Sequence, residues 1–192
     1  MSVDAAAWTS RVAVREYLQL AASETDKDDL IDNLINRSYK ALEAHIGKAI
    51  LSASYTEYYD GDGQDILILD NYPIISVDSL YMDSARDFAA DTLIAVADYV
   101  IYAKQGTIRL LNDETIFAHG IQNIKITYTA GYAAIPNDLA LACIMHVSHI
   151  LQKAGAEGHL SMSLGGLSKS FDMTQIPLAV KTLLEPYRKR SV

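Results

Sequence analysis

The sequence predicts an α+β fold: a helical body built from the N-terminal and C-terminal helices, with an antiparallel β subdomain inserted over 53–130. Three observations predict it. Apolar residues recur three and four apart up to Gly47, the middle of the chain alternates in short runs punctuated by Asp, Gly and Pro, and the helical period returns after Pro136. The middle runs make about six short strands, enough for a small antiparallel sheet or sandwich.

Taking the elements in order, Thr9 or Ser10 can cap a short helix to about Leu20, with Val12, Val14, Tyr17 and Leu18 on its apolar side. The polar, acidic stretch Ser23 to Asp29 reads as a loop into a second helix, about Lys27 to Ile46, whose first turn welcomes negative charge. Leu30, Ile31, Leu34, Ile35, Leu42 and Ile46 form its buried stripe, polar residues fill the other side, and Gly47 ends it.

In the middle, Ser54 to Tyr59 and Ile66 to Leu69 read as strands joined through the turn residues Asp60-Gly61-Asp62-Gly63. Pro73 opens a third strand, Ile74 to Met82; Tyr99 to Ala103 and Thr107 to Leu111 follow as a hairpin around Gln105-Gly106. Ser84 to Asp98, between them, is a loop or a short helix. In Ile121 to Tyr128, Ile124, Ile126 and Tyr128 fall on one face and Asn123, Lys125 and Thr127 on the other, as a half-buried strand requires. Gly131 then permits positive φ, and Pro136 with Asn137 or Asp138 starts a helix.

That helix, Leu139 to Gln152, is apolar on nearly every side, which predicts burial against several neighbours. Ala154 to Ser170 gathers four glycines with four serines and reads as a mobile loop in the isolated chain. A last helix starts near Ile176, has Pro177 in its first turn, carries Val180, Leu183, Leu184 and Tyr187, and is cut short by Pro186.

Composition narrows the function. At 192 residues, 50% hydrophobic, the chain can bury a proper core. The net charge is −8, divided between 20 acidic and 9 basic side chains over 1–118 and 4 acidic and 7 basic over 119–192. A dedicated nucleic-acid binder needs a dense Lys/Arg surface to displace counterions, and this chain lacks one. The basic end either suits an acidic partner or simply favours a helix C-terminus. A single cysteine, Cys143, forbids a disulfide framework and agrees with a cytoplasmic origin. With neither a signal peptide nor a membrane-length apolar window, a soluble protein is expected.

Two groupings invite a metal. Asp60, Asp62 and Asp65 lie in a Gly-rich loop, but Gln64 fills the fifth position, Asp65 stands where a calcium loop needs Gly, and Asn71 replaces its bidentate Glu. Cys143, His146 and His149 recur every third residue along one helix, without the second cluster that a four-ligand zinc site needs. Plain turn and packing roles are the simpler reading; a metal-dependent enzyme is the alternative function class. No hydrolase elbow, phosphate loop or dinucleotide fingerprint is present. Twelve tyrosines, nine of them in or beside the β region, suit either protein surfaces or a thin sheet's core.

Several phrases in a fixed order carry a resemblance: DKDDLIDNLINRSYKALEAHIG, YTEYYDGDGQDILILDNYPIISVDSL, GTIRLL, NIKITYTAGY, IPNDLALA and LLEPYRKRSV. Together, from about Val12 to Val192, they resemble the head-tail connector (adaptor, head-completion) proteins of tailed bacteriophages and prophages. The resemblance implies a non-catalytic structural protein without cofactor, one connector domain over 1–192, with 171–192 as a docking helix and tail. It implies a ring of about twelve copies between the portal protein and a tail or stopper protein, in the virion and, during assembly, in the host cytoplasm. DNA would pass through the ring without sequence-specific contact, and no membrane is involved. Leu183, Leu184, Tyr187, Arg188, Lys189 and Arg190 become the portal-docking candidates. Gly158, Ser161, Ser163, Gly165, Gly166 and Lys169 become candidates for a flexible assembly loop.

Overall fold

A computed structural model describes residues 2–21, 23, 25–112, 115–154, 161–164, 167–170 and 176–189. The chain forms two compact units, a helical one of Met1–Lys48 with Ile135–Val192 and a β unit of Ala49–Ala134.

In the helical unit, α1 (Arg11–Tyr17) is capped by Ser10, whose Oγ accepts from the Ala13 N–H at 3.2 Å. It ends before Leu20 because Leu18 closes the last turn and Gln19 takes a left-handed conformation, φ 54°. α2 (Asp28–Ile46) ends at Gly47 with φ 84°, where glycine carries no Cβ penalty. Ile31, Ile35, Leu42 and Ile46 are buried as the stripe predicts, whereas Leu30 is 48% exposed. Asp32, read as part of the polar side, is buried too. Arg11 accounts for it, donating from Nε to Oδ1 at 2.8 Å and from Nη2 to Oδ2, and reaching Asp28 Oδ2 at 3.1 Å. A charged pair between two helices leaves no mark on the periodicity of either one.

α3 (Asn137–Ala154) buries Leu139, Ala142, Cys143, His146 and Val147. It packs on α1, on α2 and on α4 (Leu178–Leu184), as an all-round apolar helix should. Where the sequence suggests a loop, β7 (Ser161–Leu164) and β8 (Leu167–Ser170) pair antiparallel, Leu164 opposite Leu167. Serine alternating with Met and Leu has the strand period.

The β unit holds two three-stranded antiparallel sheets. In the first, β6 (Gly120–Ala130) lies between β1 (Ala53–Gly61) and β3 (Ile74–Met82). In the second, β5 (Thr107–Leu110) lies between β2 (Ile66–Ile68) and β4 (Tyr99–Tyr102). The β4–β5 hairpin is the expected one, turning at Gly106 with φ 65°. β1 and β2, however, are not a hairpin. β1 pairs with β6 and β2 with β5, so Asp62–Asp65 carries the chain from one sheet to the other. Leu67, Ile108 and Leu110 from one sheet and Leu80, Ile124 and Ile126 from the other share one core.

Between β3 and β4 the acidic stretch makes two 3-10 turns, Ala90–Thr92 and Val96–Asp98. Asp83 organises its start by accepting from the N–H groups of Ala85, Asp87 and Phe88, each at 2.8 Å. Those backbone donors, Phe88 first, hold its carboxyl below the usual carboxylate range. At the far end of β6, Gly131 has φ 116°, and a Cβ there would come within 2.7 Å of Ser52 Cα.

Candidate docking surfaces

The C-terminal segment is built from residues with two different fates. After α4 the chain tightens into a 3-10 turn, Glu185–Tyr187, because Pro186 cannot continue the α-helix. Leu184 is fully buried and Leu183 half-buried. The Tyr187 hydroxyl donates to the Asp138 carboxylate of α3, lying 2.8 and 2.7 Å from its two oxygens. The Lys189 N–H donates to the Ile46 carbonyl at 2.8 Å, satisfying a group that the end of α2 leaves open. Leu184 and Tyr187 are therefore anchors, while the Arg188 and Lys189 side chains are exposed. Arg190, Gly158, Gly165 and Gly166 lie outside the described residues; Ser161 and Ser163 fall in β7 and Lys169 in β8.

The acidic groups of the Asp60–Asp65 loop are spent locally. Asp60 Oδ1 accepts from the Gln122 N–H at 2.6 Å, Asp62 Oδ1 from the Gln64 N–H at 3.0 Å, and Asp65 Oδ2 from Arg109 Nε at 2.6 Å. Cys143 is buried in α3, and desolvation pushes its thiol up to about 12. The thiolate is both the metal ligand and the nucleophile, so Cys143 is expected to resist alkylation of the native protein at pH 8 and to react on unfolding. Rapid native labelling would contradict that burial. Among the described residues, no group of three or more His, Cys, Asp or Glu is placed to hold a metal ion.

Charge follows the unit boundary. The β unit's sequence holds 12 acidic and 4 basic residues, and the helical unit's holds 12 of each. The entire net charge of −8 thus belongs to the β unit. Division of the chain at residue 118 blurs this, because the units are not consecutive in sequence.

The sequence model of the head completion proteins matches residues 8–190. The chain belongs to that family. A head completion protein is a structural component of a phage-like particle, and its role is that of a head-tail connector. Its fold is shared, at 19% identity, with a chain in the neck of an empty GTA particle computed with C6 symmetry. There the TM-score is 0.61, with 100% of this chain and 96% of that one covered. A chain in the virion of a native gene transfer agent (GTA) particle gives 0.59, at 19% identity and 100% and 94% coverage. One in the neck of a native GTA particle computed with C12 symmetry gives 0.56, at 19% identity and 100% and 96% coverage. No curated protein is similar enough to match. The matched span of this head completion protein includes Leu183 to Arg190.

Proposed function

We propose that this head completion protein assembles as a ring at the head-tail junction, between a portal protein and a tail or stopper protein, with DNA passing through its centre. The observation that carries the reading is the C-terminal construction. Leu184 and Tyr187 fasten the segment to the helical unit, and Arg188 and Lys189 are presented on its surface just beyond. A short basic tip on a fixed stem suits an acidic surface of the portal, and repetition around an axis multiplies a weak contact. The C6 and C12 symmetries of the similar neck particles support the ring, and a dodecamer is the count favoured here. A chain whose surplus charge is negative supports sliding rather than sequence-specific gripping of DNA. The Gly/Ser stretch with Gly158, Ser161, Ser163, Gly165, Gly166 and Lys169 serves as the assembly element toward a neighbour or the channel. The protein resides in the virion, and in the host cytoplasm during assembly.

The test is light scattering with size exclusion, alone and with the portal protein. The unmodified chain is expected to join the portal in many copies. Arg188→Glu with Lys189→Glu and Arg190→Glu is expected to weaken that binding on the order of tenfold or more while leaving the melting curve unchanged. Truncation from Leu183 is a poorer test, because it removes the buried Leu184. Undiminished portal binding by the charge-reversed chain would overturn the docking assignment.

A further inference from the structure

An open sheet has two edges, and in the first sheet β1 is the unprotected one. It stands outermost in the order β1–β6–β3, so every second residue turns its N–H and C=O away from β6. Edge strands are normally blunted by a bulge, a proline, a lysine or a covering segment. β3, the opposite edge, has such protection. Its register shifts between Ile74 and Ser76 and again between Val77 and Ser79. Its far end is covered, the Ile94 N–H donating to the Leu80 carbonyl at 2.8 Å and Leu93 bridging to Tyr81. β2 and β4, the edges of the second sheet, are only three and four residues long. β1 runs for nine residues, keeps an unbroken register from Ala53 to Tyr59, and contains neither proline nor lysine. The one charge in that run, Glu57, is engaged by Tyr59 and Tyr128. Thr56 and Tyr58 are strand formers with nothing in them to repel a further strand.

The β7–β8 hairpin has the complementary need. Its two strands, four residues each, form a sheet of their own. A lone two-stranded hairpin is marginal in water, and a third strand is what makes such a sheet stable. Pairing of one β1 with another copy's β1 would fill the edge, but it leaves both hairpins as they were and closes at two copies. A hairpin laid on the next copy's β1 completes both, and a contact between two different surfaces is the kind that closes into rings.

We propose that the β7–β8 hairpin of each copy adds to the β1 edge of the next, extending the β1–β6–β3 sheet to five strands across the subunit boundary. This deepens the ring reading, rests on it, and gives the Gly/Ser stretch its partner. Backbone groups make the contact, so it asks for no particular side chain from the hairpin. A four-residue strand offers few backbone bonds, so each contact is weak by itself and is sought in the portal-bound chain, where repetition around the axis sustains it.

The full-length chain carrying Thr56→Cys and Ser163→Cys together is mixed with the portal protein, isolated by size exclusion and treated with a short bis-maleimide. Thr56 is exposed and cysteine is close in size to both residues it replaces, so the fold is expected to persist; the buried Cys143 stays in place. The portal-bound chain is expected to give a ladder of covalent oligomers, roughly tenfold stronger than Ser76→Cys with Ser163→Cys, whose first cysteine lies on the β3 edge. Amide hydrogen exchange over Ala53–Tyr59 is expected to slow when the unmodified chain joins the portal. A ladder no stronger than the control's, a cross-linked monomer alone, or β1 exchange that does not slow overturns the proposal, and continued co-elution with the portal then leaves the ring reading standing. An unmodified chain that never co-elutes with the portal removes the ring reading and this contact with it.

Discussion

Alanine at Gly61 is expected to cost more than about 3 kcal/mol or to unfold the β unit. A Cβ at that position would lie 1.9 Å from the Ala118 carbonyl oxygen and 2.9 Å from its carbon. These are backbone atoms, with the Ala118 carbonyl already held by Asn123 Nδ2, and cannot move aside as a flexible side chain would. Gly61 stands opposite Gly120 where β1 and β6 come together, and the missing side chains leave room for Asn123 to lie against the backbone. Its Oδ1 accepts from the Gly61 N–H at 2.8 Å and its Nδ2 donates to Ala118 O at 2.7 Å, which is how a polar residue comes to be 2% exposed. Denaturant unfolding followed by circular dichroism measures the effect, with Asp62→Ala, an exposed neighbour, expected to change stability little. A Gly61→Ala protein as stable as its parent would refute the steric account.

Glu57→Ala is expected to lower stability by about 3 kcal/mol, because it strips the acceptor from a network rather than from one bond. Glu57 Oε2 accepts from Tyr59 at 2.5 Å and from Tyr128 at 2.6 Å, while Oε1 accepts from Asn71 Nδ2 at 2.9 Å. The tyrosine oxygens in turn accept from the backbone of Asp70 and Asn71 at 2.9 and 3.3 Å, so one carboxylate ties the β2–β3 connection to β1 and β6. Without it two phenol hydroxyls lose the acceptor for their protons, one on the fully buried Tyr128. Glu57→Gln keeps an oxygen for the two tyrosine hydroxyls but turns an amide donor toward Asn71 Nδ2, and should lose less, about 1–2 kcal/mol. Burial first, and the Glu57 bond second, raise the folded-state pKa of Tyr59 and Tyr128 above the ordinary 10.0. The stabilisation they bring is therefore complete below pH 10 and declines as pH rises above it. Alkaline melts showing no such decline, or a Glu57→Ala protein no weaker than Glu57→Gln, would contradict this account.

The sequence by itself determined most elements whose cause is local, the β7–β8 hairpin excepted. Ser10 caps α1, Gly47 stops α2, Ile74–Met82 and the β4–β5 hairpin stand where their patterns placed them, and Ile124, Ile126 and Tyr128 are the buried face of β6. The family was legible too, in phrases whose order spans most of the chain. Tertiary structure alone decided what depends on a distant partner. Asp60-Gly61-Asp62-Gly63 has turn composition, yet Gly61 is glycine because the Ala118 carbonyl, 57 residues away, lies against it. Asp32 and Asn123 sit where a polar residue reads as exposed, and are buried because Arg11 and the Ala118 carbonyl meet them there. Leu184 and Tyr187, docking candidates by position, are consumed in holding the segment down, which leaves Arg188 and Lys189 outermost. Period and capping act within a few residues, whereas strand partnership and the fate of a buried charge are set by contacts that no local window contains.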